Sequence, residues 1–178
     1  MKTLLFAFTL VLSTFSLNAQ SYLGYATKNV NLRQGPGTNY EIDTVVKQNA
    51  QLFLFSLDAE NNFYHVIDVK TNIEGYLHKD FVKVGKEIKA QQGELFIADG
   101  KSSTENPELE IYNNTTIAMT LRIGSEKYYF TPQETKKIIL SPSEYDFMAS
   151  APGVIPYYGS QYLNSNYRYT WKFFIVEK

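Results

Sequence analysis

Apolar and polar residues alternate along much of this chain with a period of two, the pattern of strands that bury one face. The clearest stripes lie in the second half. Ile117, Met119, Leu121 and Ile123 alternate with Ala118, Thr120 and Arg122, and Leu109 and Ile111 form a shorter pair just before them. Tyr145, Phe147, Ala149 and Ala151 share one face, as do Tyr167, Tyr169, Trp171 and Phe173. In the first half the runs are shorter: 29–32 with Val30 and Leu32 together, then 44–47, 51–57, 63–69, 73–77 and 81–84. No segment sustains a helical period. The pattern predicts an all-β chain.

Turn chemistry divides these strands into two rhythms. Ala59-Glu60-Asn61-Asn62 separates two of the early strands, and Gly35-Pro36-Gly37 follows the first. Both glycines are expected at positive φ and Pro36 presets a turn, so the chain reverses sharply there. Five or six short strands in about 60 residues predict a small, strongly bent barrel. Later turns are spaced more widely. Thr131-Pro132-Gln133-Glu134 and Ser141-Pro142-Ser143-Glu144 place Pro at the second turn position, and Pro152-Gly153 fits the centre of a type II turn. About seven strands in about 85 residues predict an antiparallel β-sandwich of Ig-like size. Between the two halves, 85–93 holds Ile88 as its single large apolar residue between bracketing glycines. It reads as a linker, and its KEIKAQQ stretch reads equally well as a short surface helix. The division is therefore barrel 20–84, linker 85–93 and sandwich 94–178, with no internal repeat.

The first 19 residues change the picture of where the chain works. Lys2, an apolar run from Leu4 to Leu12, and a small, polar stretch ending at Ala19 have the order of a cleaved secretory signal peptide. The apolar run falls short of the roughly 20 residues of a membrane span, and no later run approaches that length. The chain has 17 basic and 18 acidic side chains; cleavage removes only Lys2, leaving a net charge of −2. Such a balance argues against a nucleic-acid partner, which demands a basic patch. Cysteine is absent, so no disulfide framework, thiol nucleophile or Cys-ligated metal is expected. The combination points to a secreted, periplasmic or surface protein of a bacterium.

The order N-V-N-L-R-Q-G-P-G-T-N-Y-E-I, beginning at Asn29, resembles the opening of bacterial SH3-like (SH3b) domains. The resemblance continues through Phe63-Tyr64-His65-Val66 and Glu74-Gly75-Tyr76-Leu77, and ends at Lys79-Asp80-Phe81-Val82. It covers roughly 22–84. Two positions depart from the family pattern: Phe63 stands where Trp is usual, and Gln48-Asn49 replaces a Lys-Gly type of turn. Asn tolerates left-handed geometry, so the turn survives. The resemblance implies recognition of cell-wall peptide, peptidoglycan or a protein partner. Ligands of such barrels lie in a shallow groove, which on this chain would be walled by Arg33, Tyr40, Phe63, Tyr64 and Tyr76. The second half resembles no named family closely.

Catalytic chemistry finds little footing. His65 and His78 are the only histidines. Asp68 and Asp80 lie near them, but no nucleophile-elbow motif accompanies them, and the SH3b resemblance makes both ordinary strand positions. Two histidines without cysteine do not make a zinc site at any recognisable spacing. Glu105, Glu108 and Glu110 read as a solvated strand edge rather than an acid/base pair. Asn113-Asn114-Thr115-Thr116 contains two glycosylation sequons that in a bacterial chain mean a polar turn. The remaining signal is aromatic: 14 Tyr and 12 Phe against one Trp. In Tyr128-Tyr129, Tyr157-Tyr158 and Phe173-Phe174, one member of each pair must face away from its own core. Those outward rings can bind a ligand, pack across strands or meet the other domain. The expected function is binding without catalysis, metal or cofactor, with peptidoglycan or wall peptide as partner. An envelope adaptor and an unrecognised wall hydrolase are the alternatives.

Overall fold

The computed structural model describes residues 20–90 and 94–175. The segment read as a signal peptide and residues 91–93 of the expected linker lie outside the described residues.

The first half contains β1 (Ser21–Ala26), β2 (Val30–Arg33), β3 (Ile42–Val46), β4 (Gln51–Leu54), β5 (Phe63–Asp68), β6 (Ile73–His78) and β7 (Val82–Ile88). A 3₁₀ turn, Lys79–Phe81, precedes β7. The strands form one sheet in the order β3-β2-β6-β5-β4-β1-β7. Its inner face buries Leu32, Leu52, Leu54, Val66, Leu77 and Val82, the apolar positions of the short alternating runs. Asn49, Asn61, Asn62 and Asn72 take positive φ in the tight connections, the geometry that Asn tolerates best after Gly.

The second half contains β8 (Ile97–Lys101), β9 (Glu108–Asn113), β10 (Met119–Ile123), β11 (Glu126–Phe130), β12 (Thr135–Ile139), β13 (Ser143–Ala151), β14 (Val154–Leu163) and β15 (Tyr167–Phe173). Two four-stranded sheets, β11-β10-β13-β14 and β12-β9-β15-β8, face each other. Their shared core takes Leu109, Ile111, Met119, Leu121, Ile123, Phe147, Ala149, Tyr169 and Phe173. These are the stripes of the sequence pattern. The fold is all-β, an SH3-like barrel followed by a β-sandwich.

Several expectations need correction. Among the described residues the sandwich has eight strands, and its pairing is antiparallel except that β9 and β15 run parallel, Leu109 beside Tyr169 and Ile111 beside Trp171. The intervening strands β10 to β14 supply the long crossover that a parallel pair needs. The Glu105–Glu110 acids do not mark an edge, because β9 sits inside its sheet; Glu108 and Glu110 merely line its outer face. The expected linker also loses its first residues. Gly85 to Ile88 continue β7, with Glu87 opposite Tyr22 and Ile88 opposite Ser21. Neither free linker nor helix forms there, because the backbone of β1 offers hydrogen bonds that side-chain polarity does not report.

The two halves pack together through a third apolar cluster: Phe53, Ile67 and Val69 from the barrel with Met148 from the sandwich. Phe55, Ile88 and Tyr158 border it. The Tyr158 hydroxyl donates to the Ile88 carbonyl, and the Gly153 N–H donates to the Val69 carbonyl at 2.8 Å. Pro152-Gly153 therefore forms its turn as expected, with Gly153 at φ 79°, and also docks on the barrel. Burying large apolar side chains contributes about 1.5 to 3 kcal/mol each. Four of them weigh heavily against the roughly 5 to 15 kcal/mol by which whole domains are stable.

Candidate functional site

Strand parity decides what each face of the barrel presents. On β5, Tyr64 and Val66 point to the barrel core, so Phe63, His65 and Ile67 point outward. Register carries this across the sheet: Phe63 lies opposite His78, His65 opposite Tyr76 and Ile67 opposite Glu74. Phe53 lies opposite Ile67 on the other side. The outer face is thus a continuous row of rings that ends under the sandwich.

At the middle of this row the His65 ring is stacked between Phe55, at 4.0 Å between centroids, and Tyr76, at 4.8 Å. Interplanar angles of 10° and 12° make these face-to-face contacts. His65 Nε2 lies 2.8 Å from Glu74 Oε1; facing a carboxylate, that nitrogen carries the proton and donates. Arg122 Nη2 donates to both Glu74 oxygens at 2.7 Å, and Lys127 Nζ donates at 2.8 Å. Burial alone would raise the Glu74 pKa. Hydrogen bonds from His65, Lys127 and Arg122, with the Arg122 charge, outweigh it and hold the carboxyl far below the ordinary range.

Beyond Tyr76 the row reaches the turn after β2. Arg33 stands directly opposite Tyr76, and its Nη1 donates to the Tyr40 carbonyl at 2.7 Å. Tyr40 is 44% exposed. The Tyr76 hydroxyl is held protonated, its pKa raised by burial first and then by Glu60, Glu74 and Tyr40. It therefore presents a hydrogen-bond donor. Asn61 Nδ2 donates to the Pro36 carbonyl at 3.3 Å, tying this turn to the loop before β5.

Gly-Pro-Gly plays a different part from the one expected. Neither Gly35 nor Gly37 is at positive φ. Gly35 is buried, and a Cβ on it would collide with the Tyr40 ring; Asn39 and the same ring crowd Gly37. The glycines make a flat seat on which Tyr40 lies, with Pro36 buried between them.

Arg33, Tyr40 and Tyr76 thus come together, and two expected groove residues do not join them. Tyr64 points to the opposite face and packs on the barrel core. Phe63 has the correct parity but is only 5% exposed, its ring edge-to-face with His78 at 5.1 Å. Adjacent residues on a strand cannot wall one groove, so Phe63-Tyr64 could not have supplied two rings to it.

Sequence reasoning missed Phe55, His65, Glu74, Arg122 and Lys127. Parity on β5 and β6 was a usable signal for His65 and Glu74. No signal pointed to Arg122 and Lys127, which reach Glu74 across the two halves. His78 accepts from the Asp80 N–H at 3.4 Å, capping the 3₁₀ turn. Among the described residues no three His, Asp or Glu side chains gather as metal ligands. Asn113, the first sequon residue, is fully buried and donates to the carbonyls of Ile117 and Thr131.

Residues 28–83 match the family model of the bacterial SH3 domain. The barrel is a bacterial SH3 domain. The match starts two residues before β2 and ends within β7, so it includes every residue of the ring row except those the sandwich supplies. No curated protein and no solved structure matches the chain. The SH3 domain places Arg33, Tyr40 and Tyr76 on its outer face, and the sandwich brings Arg122 and Lys127 onto Glu74.

Proposed function

We propose that this protein is a non-catalytic binding module of the bacterial envelope that holds wall peptide or peptidoglycan on the outer face of its SH3 domain. The bacterial SH3 domain is a family of cell-wall-binding modules. The observation that carries the reading is the seat of Tyr40 on Gly35, beside Arg33 and Tyr76. An exposed ring, a protonated phenol and a guanidinium offer stacking area, a donor and a charge for a carboxylate. An extended peptide uses such groups one residue at a time. The N-terminal segment supports a place outside the cytoplasm, and among the described residues no helix is long and apolar enough to cross a membrane.

Sedimentation with purified peptidoglycan tests this. Wild type pellets with the wall, and Tyr40→Ala weakens binding by about 1 to 2 kcal/mol, a typical hot-spot loss, with an unchanged melting temperature. Failure of wild type to pellet removes the wall reading and leaves the second one, an adaptor that binds an envelope protein. The aromatic pairs favour that alternative only in part: Tyr158 faces the SH3 domain, while Tyr129 and Phe174 remain 64% and 62% exposed.

A further inference from the structure

A concave site lies where the tip of the β5–β6 hairpin meets the rim of the sandwich. It is an open depression of about 330 Å³, at the small end of the roughly 300 to 1,000 Å³ usual for ligand pockets. Met119 and Phe130 border it with their backbones, while their side chains turn into the sandwich core. Asn72 and Thr120 line the wall between the two halves. Their side chains are 3.5 Å apart, too long to satisfy either group well. Tyr129 stands at the rim and is 64% exposed.

Its charges are matched internally. Lys136 Nζ donates to the Tyr129 carbonyl at 2.6 Å and lies 3.4 Å from Glu134 Oε1. Glu134 Oε2 accepts from the Thr131 N–H and hydroxyl. The Thr131 backbone hydrogen bond is the main reason that the Glu134 carboxyl titrates below its ordinary range, so it stays an acceptor. With one anion beside one cation the depression has no net charge to offer an ionic ligand. It offers an exposed ring face, an amide and a hydroxyl with spare hydrogen-bonding capacity, and a carboxylate acceptor.

We infer that this junction binds a neutral saccharide. The apolar face of a pyranose ring would lie on Tyr129, and its hydroxyls would meet Asn72, Thr120 and Glu134. The site requires both halves, because Asn72 comes from the SH3 domain and Tyr129 from the sandwich. The inference stands on this chemistry alone. Only its extension to the glycan strand of the cell wall rests on the wall-binding reading above.

Titration of the full chain with soluble β-1,4-linked N-acetylglucosamine oligomers tests it, read by heat or by perturbation of tyrosine fluorescence. Saturable binding is expected. Tyr129→Ala and Asn72→Ala each lose at least about tenfold in affinity, a hot-spot effect. Tyr129→Phe retains binding, since the ring face does the stacking. Tyr129 is exposed, so an unchanged melting temperature separates lost binding from lost folding. No saturable binding, or binding indifferent to Tyr129→Ala, overturns the inference. A protein that pellets with peptidoglycan but ignores the oligomers keeps the wall reading and loses this one; one that binds the oligomers without pelleting does the reverse.

Discussion

Arg122 of the sandwich holds Glu74 of the SH3 domain by one guanidinium nitrogen, 2.7 Å from both carboxylate oxygens. The two residues are 48 positions apart and join the two halves at the end of the ring row. With Lys127 and His65 on the same carboxylate, Glu74 makes four polar contacts while only 22% exposed. A carboxylate so placed fixes the angle at which the sandwich meets the face that carries Tyr76.

Glu74→Gln is expected to destabilise the protein by about 1 to 3 kcal/mol at neutral pH, the cost of hydrogen bonds to a charged group. The sign of the pH dependence follows from the depressed pKa. The stability from Glu74 is fully present above the ordinary carboxylate value of 4.5 and is lost as pH falls below it. Thermal melts at descending pH should therefore show wild type and variant converging under acid conditions. A constant gap from neutral to strongly acidic pH would rule out the ionised carboxylate as the cause.

Met148→Ala should cost about 2 kcal/mol or more, since it opens a cavity against Phe53, Ile67 and Val69. Calorimetry is the informative measurement. If the third cluster couples the halves, the single transition of wild type splits in the variant as the SH3 domain and the sandwich melt apart. A shifted but still single transition would locate the coupling elsewhere.

The proposed division into domains predicts an unequal pair of fragments. Residues 20–90 retain all of β7, whereas 20–84 lose the pairing of Glu87 and Ile88 with β1. Both expose the face of Phe53 and Ile67 that Met148 covers. The longer fragment should melt cooperatively below the full chain, and the shorter one lower still. Equal melting temperatures for 20–84 and 20–90 would restore Gly85 to Ile88 to a linker.

Gly35→Val should displace the Tyr40 ring from its seat. Overpacking of this kind costs about 1 to 3 kcal/mol. Wall binding should fall together with stability, and Tyr40→Ala added to Gly35→Val should recover part of the stability, because the clashing ring is gone. No recovery in the double variant would mean that the cost lies in the backbone.

Gly153→Ala separates backbone strain from crowding, because nothing lies within 4 Å of a Cβ placed there. The cost should be about 1 to 2 kcal/mol from the left-handed conformation alone. Gly153→Asn should cost less. An Ala variant as stable as wild type would mean that the turn relaxes without loosening the bond to Val69.

The sequence by itself determined the class of fold and the inward stripes of the sandwich core. Period-two stripes are local, and burial of one face is their only stable outcome, so Leu121 and Tyr169 could be assigned inward before any partner was known. Turn chemistry was legible for the same reason: Pro152-Gly153 and Asn49 carry their φ preferences with them. Gly35 was legible as special but not for the correct cause, since a glycine required by a neighbouring ring looks identical to one required by positive φ. Tertiary structure decided the rest. The strand character of Glu87 rests on hydrogen bonds to β1, and backbone pairing leaves no trace in side-chain polarity. The burial of Phe63, the stacking of His65 between Phe55 and Tyr76, and the grip of Arg122 on Glu74 depend on which strands become neighbours. That is set by the packing of two sheet systems through Met148, a long-range balance of buried area that no short window of sequence contains.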